Sequence, residues 1–325
     1  MKGSTMFLSC DWGTSSFRLR LVDSENYQVI AERVSDEGNA KIFENWQKEG
    51  MPEHDRVSFY LNIVRQHISA LEQEQGGPFT ELPLIVSGMA SSTIGMTELP
   101  YKELPFKVDG SDLIMKSLHG IPDVKNPIFL ISGAKTDDDV MRGEETQLVG
   151  CMLKDQAGEQ LFIHPGTHSK HIVVKNGKAV SFNTYMTGEL FSLLSRESIL
   201  ASSVKQGGDL QDPENLASFK MGVRHAAAGN LLHLLFMVRT NGLFRKFTPE
   251  QNSFYLSGLL IAAELASFPA DFKGRVILAG EDVLVTAYQK AIEIMEIKKR
   301  ILGLTIMNAE EITVRGQYQV FGKQE

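Results

Sequence analysis

Two stretches of the chain follow one plan, and no other feature narrows the fold so far. Residues 6–34 read as an apolar run "MFLSC", a small-residue turn "DWGTSS", a strand "FRLRLVD", a "SEN" turn and a third strand "YQVIAERV". In "FRLRLVD", Phe17, Leu19 and Leu21 fall on one face and Arg18 and Arg20 on the other, the period of a half-buried strand. Residues 160–185, "QLFIHPGTHSKHIVVKNGKAVSFNTY", repeat the order: strand, small-residue turn, strand, Asn-Gly hairpin turn, strand. Gly13-Thr14 in the first copy matches Gly166-Thr167 in the second, 153 positions on in a chain of 325. Self-similarity at nearly half the length predicts two lobes of like fold, with domains 1–150 and 151–325.

Helices and strands alternate after each triple. Helices are expected at 55–74, from 143 to 153, at 187–200, as one long segment at 212–238, and at 249–268, 281–295 and 309–322. Strands are expected in "LPLIVSGMA", "NPIFLISGA", "RVILAG" and "ILGLTIM". Pro249 suits a first helical turn. Alternation of this kind predicts α/β lobes with helix-covered sheets.

The longest apolar runs, 231–238 and 256–268, are broken by His233, Gly258 and Glu264 and fall short of the roughly 18 residues of a membrane span. Both read as buried helices. The start "MKGSTMFLSC" lacks the charged-then-apolar pattern of a signal peptide. Cys10 and Cys151 are the only cysteines and neither lies in a CxxC, so a reducing, cytoplasmic setting is expected. A net charge of −7 argues against nucleic acid as a partner. It leaves phosphate ligands open, because those need local donors only.

The two turns carry amide and hydroxyl donors, with Thr14 and Ser15 in one and Thr167 in the other. Gly13 and Gly166 lack a Cβ, so phosphate oxygens can approach the backbone. Facing each other across a cleft, the turns would hold a polyphosphate from both sides. Arg18 can reach a phosphate bidentately, and Lys170 is its rough counterpart. Neither GxxxxGK[ST] nor GxGxxG occurs. Strand, Gly280, then helix start offers a surface for a flat ring or an α-phosphate. His164, His168 and His171 invite a zinc reading, but their spacing spreads them around a turn with no Cys or acidic partner built in. "TDDDV" (136–140) reads as a solvated acidic loop. Glu144 and Glu145 open the next helix, where the dipole favours carboxylates, and an acid fixed there can accept a hydroxyl proton. "SGMASSTIGM" (87–96) offers hydroxyls to a polyhydroxylated substrate or forms a structural loop.

"DWGTSSFR" resembles the first phosphate motif of the sugar kinase, heat-shock chaperone and actin superfamily, Asp-x-Gly-Thr-[Ser/Thr]-x-x-Arg. "HPGTHSK" is similar to its second phosphate motif and "ILAGEDVL" to its adenosine motif, in the expected order. "VMRGEETQLVG", "PGTHSKH", "MTGEL" and "LSGLLIAAE" resemble the 2-dehydro-3-deoxygalactonokinase family. The resemblance implies an α/β fold of two RNase-H-like, actin-like ATPase lobes around a central nucleotide cleft, with ATP and Mg²⁺ as cofactors. It implies phosphorylation of the terminal hydroxyl of the sugar acid 2-dehydro-3-deoxy-D-galactonate in galactonate breakdown. Glu144 matches the base of related kinases, with Asp139 second. Asp11 would hold Mg²⁺, probing why a carboxylate stands at the mouth of a phosphate turn. Gly13, Thr14, Ser15 and Arg18 would meet phosphates, with Gly166, Thr167 and Lys170 in the second turn and Thr167 on the γ-phosphate. Gly280 would lie against adenosine. Ser91, Ser92 and Arg142 would bind the sugar acid, Arg142 its carboxylate.

Three alternatives stay open: a kinase for the gluconate epimer or another 2-keto-3-deoxy sugar acid, a polyphosphate phosphohydrolase on the same fold, and an actin-like nucleotide switch. Whether the chain forms a homodimer is open as well.

Overall fold

The computed structural model describes residues 6–119, 124–151, 153, 158–227 and 229–324. The Met1–Thr5 start, Met152 in the helix expected at 143–153, and Ala228 in that expected at 212–238 lie outside them. Two compact units divide the chain. The first comprises 1–157, 175–181 and 309–325, and the second 158–174 and 182–308.

In the first unit the order is β1 (Met6–Trp12), β2 (Phe17–Asp23), β3 (Val29–Ser35), α1 (Asn39–Glu49), α2 (Arg56–Gln75) and β4 (Leu84–Gly88). Short strands follow: β5 (Lys102–Glu103), β6 (Phe106–Lys107), β7 (Met115–Leu118), β8 (Ile128–Ile131), β9 (Ala134–Lys135) and β10 (Val140–Met141), then α3 (Glu144–Gly150). The main sheet runs β3-β2-β1-β4-β8-β7. β1, β2 and β3 are antiparallel neighbours, whereas β1, β4 and β8 run parallel. The apolar alternation seen in β2 buries Phe17, Leu19 and Leu21 in a core with Leu8, Cys10 and Trp12. The stripe Tyr60, Leu61, Val64, Ile68 and Leu71 of α2 covers that core at helical spacing.

The second unit holds β11 (Glu159–His164), β12 (Ser169–Lys175), β13 (Lys178–Tyr185), α4 (Thr187–Arg196), α5 (Pro213–Ala227), α6 (Leu231–Leu243), α7 (Pro249–Leu265), β14 (Arg275–Gly280), α8 (Asp282–Ile294) and β15 (Gly303–Asn308). The tip of the β12–β13 hairpin is counted with the first unit. The order β15-β14-β11-β12-β13 reproduces β8-β4-β1-β2-β3 strand for strand, and β11, β14 and β15 run parallel as their counterparts do. The repeat legible around the two Gly-Thr turns therefore extends to whole sheets.

α7 starts as its sequence dictates. Thr248 accepts from the Gln251 amide, the Gln251 side chain returns the bond, and Pro249 occupies the first turn. Two expectations fail nearby. The helix expected at 212–238 is two helices, because Gly229 and Asn230 both adopt positive φ, which ends α5 and starts α6. The run 231–238 is not a buried helix either: Leu234 and Val238 face the core, but Leu232 is 83% and Phe236 52% exposed. One face of α6 suffices to close the cluster with Tyr255, Leu256 and Leu259 of α7.

The last helix, α9 (Ala309–Gln324), follows β15 directly yet belongs to the first unit, where it crosses α3. A Cβ at Gly150 would stand 1.7 Å from the Ile312 carbonyl, and one at Gly316 1.9 Å from that of Thr146. Small residues let the two backbones touch. Among the described residues, no helix is long and apolar enough to cross a membrane.

Candidate functional site

In the first unit three segments meet at the C-terminal ends of the parallel strands, the usual ligand position of such sheets. Asp11, near the end of β1, is paired in register with Ser87 of β4 and Arg18 of β2. The next residue of β4, Gly88, has φ +87°, and a Cβ there would lie 2.8 Å from the Trp12 carbonyl and 3.5 Å from Asp11 Oδ1. Gly143, just before α3, packs on Gly88: its built Cβ falls 3.6 Å from the Gly88 Cα. Two glycines thus bring the head of α3 down onto the aspartate.

The electrostatics are those of crowded carboxylates. Burial pushes the Asp11 carboxyl above its usual range; Arg20 and Arg18 oppose this and Glu144 adds to it. The Arg18 guanidinium lies 3.8 Å from Asp11 and donates to Ser16 Oγ at 3.1 Å. Glu144 accepts from the Arg142 amide at 3.1 Å while staying half-buried at the helix head. Glu145 is buried; both its oxygens accept the Gly143 N–H, and Thr146 Oγ1 donates to it. Burial, with Glu144 beside it, pushes the Glu145 carboxyl up to about 7. Asp139, by contrast, sits in the β9–β10 hairpin turn, accepting from the Val140 amide.

The loop after β4 supplies the neighbouring wall. Arg142 donates to Ser91 Oγ at 2.7 Å and to the Leu99 carbonyl at 3.2 Å, and stacks on Tyr101 with 4.0 Å to the ring centroid. Its Nε is buried with no protein acceptor among the described residues. Ser92 is spent on the Met89 carbonyl.

The turn "DWGTSS" closes through Gly13 N–H to the Ser16 carbonyl, and its own carbonyls are taken up by α1. The amides of Asn39 and Ala40 donate to Gly13 and Thr14, and the buried Asn39 side chain donates to Trp12 and Gly13. A Cβ at Gly38 would stand 2.3 Å from the Thr14 carbonyl. In the second unit Gly188 plays the same part: its Cβ would stand 2.4 Å from the Gly166 carbonyl, and the Glu189 amide donates to Thr167. Neither α1, Asn39 nor the buttressing glycines stood out in the sequence; the signal available was a glycine at the start of the helix after each third strand.

Around the second turn, His168 pairs with Glu189 at 2.5 Å and His171 with Glu264 at 2.8 Å, so these two histidines point to separate acids. Lys170 is buried, its Nζ donating to the His168 carbonyl. Beside the turn opens a largely apolar cavity of about 460 Å³, within the range of small-molecule sites. Gly166, Gly207, Gly208 and Phe254 contribute to its wall, with Asp282–Leu284 from the first turn of α8. Gly280 instead is buried next to Val285 and Pro165, so the wall is built one turn beyond the glycine. The doublet Gly207-Gly208, both at positive φ, is a further component that sequence reading passed over.

A duplicated α/β chain with a carboxylate site at its strand ends and a glycine-walled cavity in its second unit defines the class. The particular family follows from comparison. Residues 11–320 match the model of the 2-keto-3-deoxy-galactonokinase family, and the chain belongs to it. An Escherichia coli protein named 2-dehydro-3-deoxygalactonokinase is 34% identical over 66% of this chain and 71% of its own length. A Rhizobium meliloti protein provisionally given the same name is 34% identical over 88% of this chain and 89% of its own. A crystal structure of a Sinorhizobium meliloti protein, also provisionally assigned to that activity, superposes with a TM-score of 0.77 at 30% identity, covering 97% of this chain and 95% of that one.

Proposed function

We propose that this chain is an ATP-dependent 2-dehydro-3-deoxygalactonokinase, moving the γ-phosphoryl group of ATP to the terminal 6-hydroxyl of 2-dehydro-3-deoxy-D-galactonate in the cytoplasm. Family membership supports the substrate class. The observation that carries the chemistry is the convergence of Asp11 and the head of α3 on Gly88, close enough for Glu144 to raise the Asp11 pKa.

Phosphoryl transfer asks of the protein a positioned acceptor, a proton acceptor and neutralised charge. Glu144 takes the hydroxyl proton as the oxygen attacks phosphorus; Asp139, in its hairpin turn, is the second choice. Magnesium is commonly held by one or two carboxylates plus substrate phosphates, which suits Asp11, and no group of three metal-ligating side chains occurs among the described residues. Bound there through water, Mg²⁺ would neutralise phosphate charge. Gly13, Thr14, Ser15 and Arg18 meet phosphates. Gly166 and Thr167 meet phosphates as well, Thr167 the γ-phosphate, with Lys170 holding the turn. The cavity beside Gly166, with Gly280 behind its wall, receives adenosine. Arg142, whose Nε finds no acceptor among the described residues, takes the sugar-acid carboxylate, with Ser91 and Ser92 lining its loop. Residues 1–150 then supply metal, sugar and base, and 151–325 the second phosphate turn and the adenosine site.

The test is ADP release with a panel of 2-keto-3-deoxy sugar acids, the galactonate and gluconate epimers included. Stimulation greatest with the galactonate derivative is expected. Phosphate release without any acceptor would place the chain among phosphohydrolases.

A further inference from the structure

Glu264, in α7, is buried and has no part in the chemistry above. Its carboxylate is nevertheless surrounded by donors from three other elements. His171 Nε2 of β12 lies 2.8 Å away, the Tyr288 hydroxyl of α8 donates at 2.6 Å, and Thr187 Oγ1 donates from the head of α4. In the tautomer protonated at Nε2, His171 donates to this carboxylate as Tyr288 and Thr187 do. With the Tyr288 proton committed to Glu264, its oxygen accepts from Ser169 Oγ at 3.0 Å; Ser169 Oγ accepts the Gly166 N–H at 3.4 Å, and the Gly166 carbonyl, at 3.5 Å, is the longer alternative acceptor for its proton. One directional chain thus runs from the turn backbone to the buried acid. Thr187 also precedes Gly188, the residue pressed on the Gly166 carbonyl.

Burying a carboxylate costs several kcal/mol unless donors satisfy it. A fully satisfied network rigidifies whatever it joins. We propose that Glu264 is a positioning residue: through Tyr288–Ser169 and through Thr187 it holds both sides of the Pro165–Ser169 turn, so that Thr167 meets phosphate with the turn already in place. The inference rests on reading that turn as a phosphate site.

Calorimetric titration with a non-hydrolysable ATP analogue and with adenosine tests it, alongside turnover. Ser169→Ala and Tyr288→Phe should each weaken binding of the ATP analogue about five- to tenfold, the scale of one hydrogen bond, and lower kcat; Ser169→Ala, at a residue outside the cavity wall that Tyr288 lines, should leave adenosine affinity unchanged. The double variant should be no worse than Tyr288→Phe, since both cut one chain. Glu264→Gln should retain more activity than Glu264→Ala, because its carbonyl still accepts from Tyr288 and Thr187 while His171 shifts its proton to Nδ1. Equal losses for the ATP analogue and adenosine in Ser169→Ala, additive effects, or no effect would overturn the proposal. Thr167→Ala separates the two failures: if it leaves binding of a non-hydrolysable ATP analogue intact, the phosphate reading itself falls.

Discussion

Gly188 lies against Gly166 so closely that a Cβ at 188 would stand 2.4 Å from the Gly166 carbonyl oxygen and 2.8 Å from the Thr167 Cα. A Cβ at Gly166 itself would meet nothing nearer than His164 Nδ1 at 4.0 Å. The two glycines therefore answer to different constraints. Gly188→Ala should displace the turn and destabilise the chain by about 1–3 kcal/mol, the usual cost of overpacking. Gly166→Ala should leave the melting temperature unchanged while weakening ATP binding. Thermal melts and nucleotide titrations on both variants check this; equal melting losses would mean that Gly166 is merely structural.

Asp11→Asn should separate activity from stability. Burial raises the Asp11 pKa, so the charged form costs folding free energy, and that cost grows with pH through the raised pKa. The neutral amide removes it. The variant is expected to melt at or above the parent temperature at pH 8 while Mg²⁺-dependent turnover falls by about 100-fold or more. A large melting loss with proportionate activity would refute the metal role.

Glu145 makes stability fall as pH rises. Its carboxyl titrates near 7 in the folded chain against 4.5 for an unperturbed side chain, so between those values the folded state binds the extra proton. The contribution is complete below about pH 4.5 and lost above about pH 7, with a span of about 3 kcal/mol. Glu145→Gln keeps the acceptor for the Gly143 amide and removes the titration. Urea unfolding at pH 5, 6, 7 and 8 should show the parent weakening relative to the variant; parallel profiles would show that Glu145 titrates normally.

Arg142 is held in a plane by Tyr101 and in direction by Ser91 and Leu99. Arg142→Ala should raise the sugar-acid KM about tenfold or more and leave the ATP KM alone. Arg142→Lys should not rescue it, because an ammonium lacks the stacked, forked geometry. Matching changes in both KM values would argue against a substrate contact.

Legibility followed the range of the interactions. The strand triples, the Gly-Thr turns and the acidic helix start are local patterns, and each stood in the sequence. The twin sheet order could be suspected from the spacing of Gly13 and Gly166. What joins the pieces could not. The fit of Gly38 and Gly188 against the turns, the stacking of Arg142 on Tyr101 and the acid gathering His171, Thr187 and Tyr288 depend on residues brought together from afar. The misreading of 231–238 has a simpler cause. Eight uncharged residues suggest burial on all sides, yet only Leu234 and Val238 become fully buried, Leu231, Leu235 and Met237 pack partly against the cluster, and Leu232 and Phe236 stay exposed.

The crossing of α9 over α3 sets an order of events during synthesis. Gln147 bonds Thr313, 166 positions further on, and Gln317 reaches back 307 positions to the Cys10 carbonyl while also bonding Ser87. A ribosome will therefore have made the aspartate, the sugar loop and the helix head long before the segment that braces them exists. The brace on the acid-bearing site is complete only once the last helix has been synthesised.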